Sequence, residues 1–261
     1  MSDQDFIVEL FCRVDDSMTK VPKHSQAGLY PSEVMTLAIL FVVKGVGNRA
    51  FYRWVARNFL ALFPKLPERT RLFRLFVAHA NWSDCFLAAP TLLAVADSYG
   101  IELIHPRREG RSEGQIGKKG LSNARWIVGG KLGFVLNNLG RIVGWDCATA
   151  NVYDSYFHPR VAKLADQSVV LTDIGFHAQS GDPPNMKPCK RGTWNTRMMI
   201  ETVLSMLTVV CHFKKVGHRV WRYFKARLAF TMAAFNILVD WHGPCADEND
   251  IVHMSIAEFS L

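Results

Sequence analysis

The sequence predicts an α/β fold, an all-helical region followed by strand, hairpin, helix, strand and helix. Three observations predict it. Helical patterning with aromatics on one side fills the first third of the chain. Two apolar runs, LLAVADSYG and the β-branched SVVLTDIGF, each carry an aspartate near their polar end. Between them, ARWIVGGKLGFVLNN and RIVGWDCATA flank a glycine, as the arms of a hairpin do. The reading divides the chain into a helical region over 1–88, an α/β region over 89–241 and a tail over 242–261.

In the helical region, PSEVMTLAILFVVKG predicts a helix with Ser32 as N-cap and Pro31 before it. Gly45 and Gly47 break it. NRAFYRWVARNFLALF follows, with Phe51, Trp54, Phe59 and Phe63 spaced to share mainly one helical side. FPKLPERTRLF is a Pro-bounded turn into another basic helix. Helix, Gly turn, basic aromatic helix fits a helix-turn-helix. It also fits an ordinary helical bundle, which the pattern alone favours.

In the second region, HPRREGRSEGQIGKKGLSN reads as a polar, Gly-rich loop. Asn138-Leu139-Gly140 marks the hairpin turn. ANVYDSYFHPRVAKLA is a short helix candidate, and QSGDPPNMKPCKRGT is a Pro/Gly loop. A helix from about Thr196 is amphipathic. Met199, Val203, Met206 and Val210 share one face, while Arg197, Glu201, Ser205, Thr208 and His212 share the other.

Charge and cysteine usage narrow the function. The net charge is +8 and the pI about 9.3, an excess that suits a polyanion. Lys187 to Arg227 holds ten Lys or Arg and one acid, Glu201. The longest apolar segment, Leu228 to Val239, is far short of the ~20 residues that span a bilayer and reads as a buried helix. The six cysteines form no CxxC pair and no zinc spacing. With an acidic N-terminus unlike a signal peptide, they predict a reducing cytoplasm and no membrane partner.

Three carboxylates carry the chemistry. Asp97 and Asp173 end apolar strands, and Glu201 lies on the polar face of a helix in the basic stretch. Mg²⁺ takes oxygen ligands, and two such ions can clamp the attacking and leaving oxygens of a phosphoryl displacement. Asp97 is the candidate bridge, Asp173 the ligand of one ion and Glu201 of the other. Each acid alone has a plainer reading as turn former, cap or solvated charge. Asp154 reads as a helix cap, Asp182 in GDPP as a turn residue, and Asp146 as a rival in the hairpin. Arg197, one turn before Glu201, would pair with a phosphate oxygen, and Trp194 could stack on a base. Lys214, Lys215 and Arg219 extend a basic track interleaved with aromatics, and Lys131 adds a cation in the hairpin.

Together these segments resemble the DDE transposases of bacterial insertion sequences. Trp194, Arg197 and Glu201 stand at the spacing of that family's Y-x2-R-x3-E-x6-K signature, with Thr208 at the Lys position. VADSYG is similar to the first-Asp strand, LTDIGFH to the second, and ARWIVGGKLGFVLNNLGRIVGWDCATANVYDS to the hairpin segment ending in N-V-x-D. The resemblance spans about residues 28–241. It departs at two signature positions, with Trp194 for Tyr and Thr208 for Lys. Asp173 and Glu201 are 28 residues apart, which leaves no room for a β-rich insertion domain.

The resemblance implies a ribonuclease H-like mixed sheet flanked by helices. Asp97, Asp173 and Glu201 would be catalytic and would hold two Mg²⁺ ions, with Mn²⁺ able to substitute. It implies hydrolysis at the element's ends, followed by attack of the freed 3′-hydroxyls on target DNA. The implied partners are terminal inverted repeats, target DNA and a second copy in a paired-end complex, in a bacterial cytoplasm near the nucleoid. A ribonuclease H-like nuclease without strand transfer, or a non-catalytic DNA binder, are the competing readings.

Overall fold

The computed structural model describes residues 1–122, 124–190, 196–214, 217–243, 245–246, 252–253 and 255–259. Four helices open the chain: α1 (Asp3–Ser17), α2 (Pro31–Lys44), α3 (Asn48–Asn58) and α4 (Arg69–Ala78). A 3-10 segment, Ala80–Phe86, leads into β1 (Leu93–Ile104), β2 (Lys118–Ser122), β3 (Arg125–Asn137) and β4 (Ile142–Thr149). Then come α5 (His158–Ala162), β5 (Val169–Thr172), β6 (Met186–Pro188), α6 (Thr196–Val209) and α7 (Trp221–His242), with a two-stranded ribbon near the C-terminus.

The main sheet is mixed. β3 pairs antiparallel with β1 on one side, and with β4 and then β2 on the other. β5 and β6 continue beyond β1, parallel to it. This order and these directions agree with the expected ribonuclease H-like sheet, helices on both faces included. The β3–β4 hairpin turns where the sequence placed it. Gly140, at φ +72°, supplies a left-handed residue that other side chains adopt at a cost.

Alternation along β1 divides its side chains between two cores. Val95 and Ile101 join the large core, with α2, α6, α7 and the Phe41–Phe51–Phe73–Phe76 cluster. Ala94 and Ala96 join a smaller core closed by Phe157, Val161 and Phe176. The large core runs without a break from α1 and α2 to α7, so the N-terminal helices and the sheet share one interior. Residues 228–239 of α7 are all buried, as the apolar run predicts. Among the described residues no single helix is long and apolar enough to cross a membrane. The α2–α3 pair, long enough together, is bent by 118°, and α2 lies in the core.

Four local expectations are corrected. α2 starts at Pro31 with Tyr30 as N-cap, not Ser32. Pro31 is preset for the first helical position, and Glu33 accepts the Tyr30 N–H at 2.6 Å. β2 lies inside the segment read as a polar loop, and β6 inside the Pro/Gly loop. The basic track does not follow one helix. α6 ends at Val209 and α7 begins at Trp221, so Lys214 and Arg219 stand in the connection, while Arg227 is buried.

Candidate active site

β1 pairs with β5 only from Leu93 to Val95, then runs on to Ile104 against β3 alone. β5 stops at Thr172, so a cleft opens beside the uncovered edge of β1, at the carboxyl end of β5. Open α/β sheets bind ligands at such ends. The cleft has a volume of about 690 Å³. Asp97 from β1, Asp173 just past β5 and Glu201 from α6 all line it, with Ser98, Lys131 and Asp154. Helix α6 presents Glu201 there because Val203, Met206 and Leu207 are buried and hold its other face in the core.

Asp154 is the residue that sequence reasoning set aside. It does not cap a helix with its side chain. Its Oδ1 accepts a short hydrogen bond from the Ser98 hydroxyl and pairs with the Lys131 ammonium at 3.0 Å. The partners lie 56 and 23 residues away in sequence. The N-V-x-D segment was the one available signal. Lys131 is only 9% exposed, so its ammonium is held in the wall by Asp154.

Asp173 and Asp154 flank Gly175. A Cβ there would stand 3.1 Å from Asp154 Oδ2 and 3.2 Å from Asp173 Oδ1. Partial loss of solvent, then the like charge of Asp154, raise the Asp173 carboxyl above its ordinary range. The N–H groups of Gly175 and Phe176 and the charge of Lys131 offset this in part. The folded carboxyl therefore holds its proton more tightly than the unfolded one. Its ionised form costs stability that is absent below the unfolded carboxylate range and fully present above the raised folded value. Asp173→Asn is thus expected to melt above the parent at neutral pH, and the advantage should shrink as pH falls through the raised folded value and be gone below the unfolded value of about 3.9. Melting curves across pH check this; a lower melting temperature at neutral pH would contradict it.

The remaining candidates are placed as follows. Arg197 lies in the first turn of α6, and its side chain is outside the described set. Trp194 and Lys215 lie outside the described residues altogether. Thr208 turns its hydroxyl back to the Leu204 carbonyl at 2.7 Å, one turn earlier. Lys214 is exposed, 5.0 Å over the Tyr99 ring. Arg219 lies in the wall of a different cavity. Lys190, not singled out before, lines the acid cleft. Of the rival acids, Asp146 pairs with Arg160 at 3.1 Å and Lys225 at 3.4 Å. Asp182 accepts the Ala178 N–H at 2.9 Å, as a turn residue does.

Among the described residues, no three Asp, Glu, His or Cys side chains are gathered closely enough to clasp one ion. The donor chemistry still suits a hard divalent cation. The acids of the cleft are all oxygen donors, and two of them, Asp154 and Asp173, already repel. Mg²⁺ keeps several waters and needs only one or two carboxylates. Neither a scan against protein-family models nor a search of curated proteins finds a match to this chain.

Proposed function

We propose that the chain is a DNA transposase that cuts insertion-sequence ends by metal-dependent phosphodiester hydrolysis and joins the 3′-hydroxyls to target DNA. One observation carries this reading: Asp97, Asp173 and Glu201, distant in sequence, line one cleft at the carboxyl end of β5. The net charge of +8 supports a polyanionic substrate.

In this reading Asp97, Asp173 and Glu201 would hold Mg²⁺, with Mn²⁺ able to replace it. Such a metal would supply charge neutralisation at the phosphate and a lowered pKa for water. The chain's own groups do the rest. Asp154, held by Ser98, fixes the Lys131 ammonium beside Asp173, which keeps positive charge near the bound phosphate. Lys190 extends that charge along the cleft, and the cleft walls position the scissile phosphate. Transesterification by a 3′-hydroxyl needs the same groups, so neither ATP nor a covalent protein–DNA intermediate is required. Two copies would act on paired terminal repeats.

The test is cleavage of supercoiled plasmid carrying the element's flanking ends, with Mg²⁺ or Mn²⁺, by the parent and Asp173→Ala. Metal-dependent cuts at the element tips, lost in the variant, are expected. DNA bound but uncut by the parent would move the weight to a non-catalytic binder. Cuts without strand transfer would favour a nuclease.

A further inference from the structure

A second cavity, of about 610 Å³, lies away from the acids, between the α2–α3 turn and the start of α7. Gly45 to Asn48 form one wall, and His218, Arg219 and Arg227 contribute to the other. Arg227 is only 4% exposed, with its guanidinium 4.8 Å over the ring of Phe41, another wall residue. Its Nε and Nη2 are buried with no hydrogen-bond partner.

An arginine this buried is normally paired, because an uncompensated charge away from water is costly. Among the described residues no carboxylate pairs with Arg227. Burial lowers it to about 10, which still leaves it charged at neutral pH. Cys211 is close enough to feel that charge, but burial pushes its thiol up to about 12, so it is no thiolate counterion. Burial, then Arg227, push His218 down to about 4, so at neutral pH it is an uncharged imidazole able to donate one N–H. Helix α3 begins at this wall. Its N-cap, Gly47, offers no side-chain bond, and its first turn holds no acid. The positive end of an 11-residue helix and two arginines therefore meet in one cavity.

We propose that this cavity binds a phosphate group, with Arg227 and Arg219 as its charged partners and the first turn of α3 as N–H donor. The phosphate is either free inorganic phosphate or a backbone phosphate of DNA, which offer the same tetrahedral oxyanion chemistry. The site does not rest on the transposase reading.

Thermal melting of the full chain in inorganic phosphate, against chloride at matched ionic strength and without divalent metal, tests it. The parent's melting temperature is expected to rise by about 5 °C when phosphate is roughly a hundredfold above its dissociation constant. Arg227→Met should lose this response while melting in chloride no lower than the parent, since it removes an unpaired buried charge. Arg219 is exposed, so Arg219→Ala keeps the fold and should weaken the response even if Arg227→Met fails to fold. No phosphate-specific rise in the parent, or an undiminished rise in the variants, overturns the proposal.

A short duplex then distinguishes the two sources. Competition with inorganic phosphate, and a salt slope smaller by about one in Arg219→Ala, assign the phosphate to DNA. Unchanged duplex binding beside a lost phosphate response assigns it to the free ion. Neither arm involves cleavage, so this result and that of the plasmid assay stand or fall separately.

Discussion

Replacing Asp97 by Asn is expected to lower metal-dependent DNA cleavage by roughly 10³-fold or more while leaving duplex binding almost unchanged. Asn keeps the shape of the side chain and an oxygen, but loses the charge a divalent cation requires. The backbone has little reason to move. Asp97 lies in the middle of a strand paired on both sides of it with β3, Ala96 to Val135 and Ser98 to Gly133. Its carboxylate accepts the N–H of Ser98 at 2.7 Å, a bond the amide oxygen can still accept. Binding should persist because sequence-independent affinity comes from lysines and arginines. Two measurements check this: single-turnover cleavage and the rise in melting temperature on adding Mg²⁺, which should shrink in the variant. Equal loss of cleavage and binding would point to damaged folding, and unchanged cleavage would remove Asp97 from the site.

The largest stability effect is expected at Asn236, a lone amide inside the apolar run of α7. It is 2% exposed and fully used. Its Oδ1 accepts the Ile142 N–H at 2.9 Å, and its Nδ2 donates to the carbonyls of Ile142 at 2.7 Å and Phe86 at 2.9 Å. The side chain thus ties α7 to the start of β4 and to the 3-10 segment before β1. In Asn236→Leu the Ile142 carbonyl keeps its bond from the Ala88 N–H. The Ile142 N–H and the Phe86 carbonyl lose their bonds to Asn236. Two buried backbone groups left unpaired cost about 2–5 kcal/mol together. The melting temperature should then fall by roughly 10 °C. Urea unfolding checks the figure. A loss below about 1 kcal/mol would mean that water or a backbone shift replaces the amide.

What could be read from the chain follows from how locally each feature is set. β5 was legible as a buried run closed by a polar residue, whereas β1 runs on past Asp97 to Ile104, so that acid stands inside its strand rather than at the end where the sequence placed it. β2 and β6 were not legible. Among the described residues KKGLS and MKP each pair on one side only, so polar side chains and a proline are acceptable there. Asp97, Asp173 and Glu201 were singled out by their positions in the chain, and the structure places all three in the lining of one cleft. Asp154 was misread because its partners come from β1 and β3, and a carboxylate before a helix looks the same whether it caps or pairs. Arg227 was counted in the basic stretch from Lys187 because a charge count does not distinguish a buried cation from a solvated one. Asn236 left a visible mark, a single amide in a dozen apolar residues, but its three acceptor and donor groups are backbone atoms that no sequence pattern displays.

Consecutive positions in β1 serve opposite sides of the sheet: Asp97 shares its side with Val95, while Ser98 shares its side with Ala96 and anchors Asp154. The site therefore depends on parity. One residue inserted into or deleted from β1 would exchange the two roles, turning the acid toward the Lys131–Asp154 pair and the hydroxyl toward α6. Point substitutions along β1 can be graded in their effect, but single-residue length changes cannot. Tolerated length variation should instead collect in 105–117, between β1 and β2, where added residues leave the register with β3 intact.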